Sequence, residues 1–324
     1  MTENANSHSL VQRQILQTTI GSPVSFKSEA LHSGGFVNVT IFPARPDTGI
    51  VFRRTDCGDK NCEIPARWDL VSQAELCTQL VNRDGVSVGT VEHVMAALYG
   101  CGVYNAIIEV DRSEVAIMDG SSIDFVSGIL DKGIVKQNAP LKALRILKAV
   151  EVVRGRTIAR LYPHEHLVID FTLEYDDTVI GFQRKTLNMA NGSFVRELSA
   201  SRTYCYEHDV EKMFSRGLAR GGKPGENALV LSKVDVVSPG GLRQPDEPLR
   251  HKMLDVVGDL ALVGMPILGY YQGIRAGHAI TNVLLRTLFA DDSTYEIVEC
   301  SNAIAECLPG AGVEKSEVPI IASG

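Results

Sequence analysis

Residues 90–111 read TVEHVMAALYGCGVYNAIIEVD, a predicted helix followed directly by a predicted strand. Apolar residues recur at helical spacing from Val91 to Leu98, and the glycines after Tyr99 predict the end of the helix. The segment NAIIEVD then alternates apolar and polar side chains, as a half-buried strand does. Helix and strand therefore alternate within one short stretch of chain.

The same kinds of element flank this unit on both sides. The first half also contains β-branched segments over 14–26 and 34–44 and a second predicted helix over 124–134. The second half repeats the plan, with strands over 147–163 and 167–175, a helix over 199–217 and a longer helix over 249–264. This order of elements predicts an α+β fold of two similar domains.

The length of 324 residues and the 44% hydrophobic content also favour two domains with sizeable cores. We place the boundary in the linker-like segment KQNAPLKA, residues 136–143. We expect a disordered tail over residues 1–12 and a first α+β domain over 13–137. A second α+β domain follows over 138–310, and residues 311–324 form a C-terminal tail.

Charge and cysteine usage exclude several classes of protein. The formal net charge of -7, with no block of basic residues, argues against a nucleic-acid partner. No apolar stretch is long enough for a signal sequence or a membrane span, which predicts a cytoplasmic protein. Seven scattered cysteines indicate reduced thiols, and Cys57 and Cys62 lack a nearby second ligand pair, which favours a plain surface loop.

The segment RHKMLDVVGD is the richest in chemistry. His251, Asp255 and Asp259 are spaced one helical turn apart, so one helix face presents an imidazole and two carboxylates. A His and an Asp one turn apart can both bind one zinc ion, with a third ligand from elsewhere. The alternative for such a motif alone is an amphipathic helix with a solvated polar edge.

Two further segments could complete a site. Glu92 and His93 begin the helix of residues 90–111, and adjacent side chains diverge by about 100° on a helix, so one could act as ligand and the other as base. His278 lies in a glycine-flanked, turn-like segment where Asp259 could hold it cationic as a general acid. On the residues alone, Thr203 is expected to be a helix cap.

Two other motifs carry less weight. The segment GLARGGKP, residues 217–224, approaches a phosphate-binding loop, but Pro224 replaces the required Ser or Thr and no strand precedes it. His164 and His166 would share a face of an extended strand, yet no third ligand lies nearby, so solvated side chains are favoured.

With these residues, the chain resembles the UDP-3-O-acyl-N-acetylglucosamine deacetylase family, whose members act at the committed step of lipid A assembly. The resemblance runs from about Gln12 to Asp291. The segments that carry it, in chain order, are LHSGGFVNVTIFPA, TGIVFRRTD, the quoted residues 90–111, IMDGS, SRTYCY, SRGLARGG, RHKMLDVVGDL and AGHAITNVLLR.

This resemblance implies a fold in which each domain is a β-sheet with two packed helices, and the helices are sandwiched between the two sheets. It implies that His93, His251 and Asp255 bind one Zn²⁺ and leave a position open for water. Fe²⁺ suits the same ligands. We expect a monomer whose only partner is a small UDP-linked acylated sugar, with no nucleic acid and no membrane span.

The resemblance also assigns roles in a hydrolysis that releases acetate from UDP-3-O-(3-hydroxyacyl)-N-acetylglucosamine. Glu92 is the implied general base, and His278, oriented by Asp259, protonates the departing amine. Thr203 helps to stabilise the oxyanion, and Lys252 contacts the substrate. An insert within residues 193–214 is implied to form a passage for the acyl chain.

Some residues depart from the family pattern. Tyr204 stands where the family usually has Phe, and Gln244 and Pro248 replace phenylalanines before the long helix. These changes leave open a related amidohydrolase with a different acyl preference. A non-catalytic UDP-sugar binding or regulatory homologue is the alternative from another class.

Overall fold

The computed structural model describes residues 15–58, 60–72, 75–176 and 178–321. The disordered tail expected over residues 1–12 lies outside these ranges. Helices and strands mix along the chain, which confirms the predicted α+β class. Within the described ranges, no helix combines the length and the apolar character needed to cross a bilayer.

The described residues of the first half of the chain form ten strands and two α-helices. They are β1 Leu16–Ile20, β2 Val24–Glu29, β3 Phe36–Pro43, β4 Ile50–Arg54, β5 Glu63–Pro65, β6 Val71–Ser72, β7 Gln79–Val81, β8 Ser87–Val88, α1 Glu92–Gly100, β9 Ala106–Val110, α2 Ile123–Lys132 and β10 Ile134–Pro140. The predicted helix and strand of residues 90–111 are therefore confirmed as α1 and β9.

In the second half, the residues that the structure describes form nine further strands and four α-helices. They are β11 Lys142–Ile146, β12 Val150–Arg154, β13 Thr157–Pro163, β14 Val168–Glu174, β15 Phe182–Asn188, β16 Tyr204–Tyr206, α3 Glu207–Ser215, β17 Leu229–Leu231, α4 Glu247–Ala261, β18 Ile267–Ile274, α5 His278–Phe289, β19 Tyr295–Glu299 and α6 Asn302–Ala305. The long predicted helix over 249–264 is confirmed as α4.

Two large sheets organise these elements. The first has the order β2-β3-β9-β4-β5, and its β4 and β9 run parallel. The second has seven strands around β18, which pairs antiparallel with β13 and parallel with β11 and β14. Three small sheets, β1-β10, β6-β7-β8 and the parallel pair β16-β17, connect and extend the large ones.

Four helices, α1, α2, α4 and α5, link the two large sheets through their contacts. α2 contacts β2 of the first sheet, and α5 contacts β12 and β13 of the second. α1 contacts both α2 and α4, and every residue of α1 is buried. A helix that packs on all sides needs small or apolar residues around its whole circumference, and the sequence VMAALYG supplies them.

Gly258 sets the distance at which α1 and α4 cross. A Cβ built on Gly258 would lie 2.1 Å from the Glu92 carbonyl oxygen, closer than atoms can approach. Only a residue without a side chain therefore allows this approach. The same crossing brings the start of α1, with Glu92 and His93, against the middle of α4.

Two local predictions are wrong. The linker expected over residues 136–143 is strand on both sides of Leu141, because β10 pairs with β1 and β11 pairs with β18 and β19. The helix expected over 199–217 covers only α3, because residues 204–206 use their backbone groups to pair with β17. The division into domains at 137/138 stays a prediction.

Replacing Gly258 by Ala should destabilise the protein by about 3 kcal/mol, because the new methyl group would collide with backbone of α1. Denaturant unfolding followed by circular dichroism measures this difference. Gly89→Ala is the matched control, since a Cβ there meets neighbours no nearer than 3.8 Å. Equal stability of the two variants would contradict the tight crossing.

Candidate metal centre and active site

Three helices bring the chemically active side chains together. Glu92 and His93 occupy the first turn of α1, and α4 directs His251 and Asp255 toward them. His278 is the first residue of α5, preceded by the extended Gly277. The turn-like position expected for His278 is therefore corrected to a helix start.

His93, His251 and Asp255 form one compact group. Asp255 Oδ1 lies 3.3 Å from His251 Nε2 and 3.7 Å from His93 Nε2. The two imidazole rings are nearly perpendicular, with centroids 5.1 Å apart. Among the described residues, this is the group of His, Cys, Asp and Glu side chains with the geometry to hold a metal ion.

The protonation of both histidines suits metal binding. Burial, together with nearby His251, lowers the pKa of His93 to about 3, and burial likewise lowers the pKa of His251. The Nδ1–H group of His251 donates to the Ser201 carbonyl oxygen at 3.0 Å. Nε2 of His251 therefore carries a lone pair on the side of Asp255, where it is available to bind a metal ion.

The carboxylate of Asp255 gives independent support for a metal ion at this group of residues. Its Oδ1 is buried and has no hydrogen-bond partner in the described part of the chain. Burial disfavours its charge, but His251 and Lys252 keep the pKa of Asp255 below its usual range. An unpartnered buried carboxylate oxygen beside two neutral imidazoles is a donor set that fits a divalent cation.

Glu92 lies beside this group but is held by a different partner. The Thr78 N–H donates to Glu92 Oε2 at 3.1 Å, which leaves Oε1 directed toward His278 Nε2 at 3.7 Å. Burial raises the pKa of Glu92 to about 7, against the opposing charge of His278. A carboxylate with this pKa can accept a proton near neutral pH.

His278 is held in its cationic form. Its Nδ1–H donates to Asp259 Oδ2 at 2.8 Å, and the Thr78 hydroxyl donates to Asp259 Oδ1 at 2.6 Å. Burial opposes the charge, but Asp259 and Glu92 raise the pKa of His278 to about 10. His278 Nε2 therefore keeps a proton and faces Glu92 and Asp255.

Lys252 and Thr203 complete the set of predicted residues. Lys252 Nζ donates to Asp255 Oδ2 at 2.9 Å, and this carboxylate raises the pKa of Lys252 although burial opposes its charge. Thr203 lies just before β16 and not in a helix, so its expected role as a helix cap is wrong. Its N–H donates to the Gly120 carbonyl oxygen at 2.7 Å.

A cavity of about 910 Å³ opens at these groups. Glu92, His93, His251, Asp255 and His278 are part of its lining. The lining also includes Thr203, Tyr204 of β16, and Val210, Met213 and Phe214 of α3. His32 also lines the cavity.

A buried ion pair supports the Ser201 carbonyl behind His251. Glu247 at the start of α4 accepts from Arg202 Nε at 2.9 Å and from the Arg202 N–H at 3.0 Å. Both side chains are buried, so the pair fixes the segment before Thr203 against α4. Sequence reasoning missed this pair, although Arg202 lies in the quoted segment SRTYCY, and it missed Thr78, which lies in none of the quoted segments.

The weaker sequence motifs lie apart from the metal group. The Nδ1–H of His164 donates to the His166 carbonyl oxygen at 2.9 Å within the turn between β13 and β14, so the two side chains do not share a strand face. Residues 217–224 follow α3 and not a strand, as expected for a rejected phosphate loop. Cys57 and Cys62 are free thiols between β4 and β5.

Two imidazoles and one carboxylate that fit a divalent cation, beside a second buried carboxylate and a cationic histidine, on an α+β fold, are typical of a metal-dependent hydrolase. The model of the family called LpxC, UDP-3-O-acyl N-acetylglycosamine deacetylase, matches residues 17–290. The chain belongs to this family of deacetylases.

Several deacetylases are similar to this chain over most of its length. A UDP-3-O-acyl-N-acetylglucosamine deacetylase of Myxococcus xanthus is 45% identical over 282 residues, 87% of this chain and 89% of that protein. Proteins of the same name from Neisseria meningitidis serogroup A and from Xylella fastidiosa strain 9a5c are each 40% identical. Their matches cover 89% and 90% of this chain, and 95% and 96% of theirs.

Titration of the chelator-treated protein with Zn²⁺ should show one buried site. His93→Ala should weaken binding by more than about 100-fold, since even outer partners of metal ligands contribute 10- to 100-fold. His164→Ala is the matched control, because it removes a surface imidazole outside the group and should leave the affinity unchanged. Wild-type affinity in His93→Ala would contradict the site.

Replacing Glu247 by Ala should destabilise the protein by about 3 to 5 kcal/mol, because it leaves the buried Arg202 without its partner. Thermal or denaturant unfolding measures the change. Glu63→Ala breaks an exposed ion pair with Arg53 and should change stability by less than about 1 kcal/mol. Similar losses in the two variants would show that burial of the Arg202 pair has no special effect.

Proposed function

We propose that this protein hydrolyses the N-acetyl group of a UDP-3-O-(3-hydroxyacyl)-N-acetylglucosamine, the committed step of lipid A biosynthesis. The observation that carries the proposal is the convergence of Glu92 and His278 on the candidate metal ligands, with Glu92 Oε1 3.7 Å from His278 Nε2. The names of the relatives favour a deacetylase over a non-catalytic UDP-sugar binding homologue.

His93, His251 and Asp255 would hold the metal ion. A divalent cation supplies two effects in such a site, acidification of a water molecule and polarisation of the amide carbonyl. Two imidazoles and a carboxylate suit zinc, which we propose as the native metal, and they also accept ferrous iron. Among the described residues, Lys252 and His278 are the cationic partners of Glu92, Asp255 and Asp259, so the site has a net negative charge that favours a cation.

Glu92 would take the first proton. Its Oε2 is occupied by the Thr78 N–H, so Oε1 is the atom that can accept a proton from the attacking water. Because its pKa is about 7, Glu92 is ionised in a substantial fraction of the protein molecules near neutral pH, and these molecules can use it as a base. The first turn of α1 fixes it next to the candidate ligand His93.

His278 would deliver the last proton to the departing sugar amine. Its Nδ1–H is committed to Asp259, which is itself fixed by the Thr78 hydroxyl. The proton on Nε2 is therefore the one that can move, and Asp259 keeps the ring oriented while it does so. Thr78 thus holds both the proposed base and the partner of the proposed acid.

Thr203 and Lys252 would act on the oxygens of the substrate. Thr203 lies in the cavity wall, and we assign its hydroxyl to the negative charge that develops on the amide oxygen. Lys252 donates one of its three N–H groups to Asp255, which leaves two for an anionic group such as the diphosphate. The apolar side chains of α3, such as Val210 and Met213, suit the acyl chain.

Purified metal-loaded protein should release acetate from UDP-3-O-acyl-N-acetylglucosamine, and Glu92→Gln should slow kcat by about 100-fold or more, as loss of a general base does. Glu109→Gln is the control, because Glu109 lies in β9 and pairs with Arg53 away from the cavity. Chelation should abolish the wild-type activity and Zn²⁺ should restore it.

Two results would count against the proposal. Absence of turnover by the metal-loaded wild type, over several acyl lengths, would favour a UDP-sugar binding protein. Full activity in Glu92→Gln would exclude Glu92 as the base. The monomeric state and cytoplasmic location stay predictions of the sequence.

A further inference from the structure

The Tyr204 hydroxyl is a buried polar group with no task in the reaction as described. Tyr204 begins β16 directly after Thr203 and lines the same cavity. Its Oη is buried, and no group in the described ranges meets it with hydrogen-bond geometry. A buried hydroxyl without a partner lowers stability, so phenylalanine would be the more stable choice unless a ligand supplies an acceptor.

The Tyr204 side chain is fixed toward the candidate metal ligands. The backbone before it is held by the bond from the Leu229 N–H to the Thr203 carbonyl oxygen at 2.8 Å. Its ring lies edge-on to the ring of His251, with centroids 6.3 Å apart, and Lys252 Nζ is 5.6 Å from its centroid. These contacts hold the phenol in the cavity wall.

The hydroxyl can donate a hydrogen bond to a ligand that brings an acceptor. Burial, and then the neighbouring Tyr175 hydroxyl, raises the pKa of Tyr204 well above its usual range, so the phenol keeps its proton. An uncharged carbonyl or hydroxyl oxygen of a ligand can accept this hydrogen bond.

The position of Tyr204 along the cavity narrows the choice of oxygen. At one side lie the candidate metal ligands, and α3 continues the wall with the apolar side chains of Val210, Met213 and Phe214. Tyr204 lies beside the candidate ligand His251 and three residues before the start of α3, so a ligand that reaches from the metal group to this apolar wall can contact Tyr204. In the proposed substrate, the atoms between the sugar and the apolar chain include the ester carbonyl and the 3-hydroxyl of the acyl group.

We propose that Tyr204 Oη donates a hydrogen bond to a neutral oxygen of the O-acyl arm, the ester carbonyl or the 3-hydroxyl, and so helps to select the acyl group. This inference rests on the proposed function, because it takes its ligand from that substrate. It assigns a function to the hydroxyl group that distinguishes Tyr204 from the phenylalanine usual at this position in the family.

Tyr204→Phe tests the inference with two substrates of equal chain length, one with a 3-hydroxyacyl group and one with a plain acyl group. We expect kcat/KM to fall by about tenfold through KM, with kcat near the wild-type value, as for one lost neutral hydrogen bond. The melting temperature should stay equal or rise, because the variant removes an unpartnered buried hydroxyl.

The two substrates identify the acceptor. A loss confined to the 3-hydroxyacyl substrate assigns the acceptor to the 3-hydroxyl, and an equal loss on both substrates assigns it to the ester carbonyl. Unchanged kcat/KM on both would overturn the inference. Tyr206→Phe is the matched control, since that hydroxyl already donates to Thr178 Oγ1 at 3.0 Å and its loss should not change the ratio between substrates.

Binding separates this inference from the proposed function. Calorimetry with the deacetylated UDP-3-O-acylglucosamine gives a dissociation constant that does not depend on turnover. A wild type that binds this compound but releases no acetate would refute the proposed reaction, and the dissociation constant of Tyr204→Phe would still decide the role of the hydroxyl. Equal dissociation constants in wild type and Tyr204→Phe, for both acyl groups, would again overturn the inference.

Discussion

The close crossing of α1 and α4 is the constraint on which the site depends. Gly258 lets the backbone of α4 touch the Glu92 carbonyl, and no other residue type fits that gap. The crossing places residues from two distant parts of the chain within a few ångströms, because each helix carries its polar groups at the point of contact. The sheets on either side then exclude water from the helices, and the site opens only toward the cavity.

Burial of so many charged groups would destabilise the protein unless each had a partner. The structure meets this demand in chains of contacts: Thr78 with Asp259, Asp259 with His278, and Lys252 with Asp255. The group left incomplete is the one that faces His93 and His251, the Oδ1 atom of Asp255. The low dielectric that makes an unpaired oxygen unfavourable also makes it a strong ligand.

Sequence reasoning predicted the elements whose pattern is local. The helical period of residues 90–111 gave α1, and the spacing of His251, Asp255 and Asp259 placed them on one face of α4. It failed where long-range pairing overrides local preference, as in β10, whose polar residues 136–138 suggested a linker although its backbone pairs with β1. Backbone partners such as the Ser201 carbonyl carry no residue signature. The contact of His93 with α4 was predicted from the family resemblance alone, because residues far apart in sequence leave no periodic signal.

The hydrogen bond from Thr78 to Asp259 joins residues 181 positions apart, and His278 lies further along the chain. During synthesis, a chain that has emerged only as far as α3 carries a single candidate metal ligand, His93. The centre can therefore form only late, after α4 and the start of α5 have left the ribosome and docked on a first half that is already made. Contacts of such long range form slowly. Metal acquisition is thus tied to completion of the chain, and a prematurely terminated product that ends before His251 would lack a competent centre.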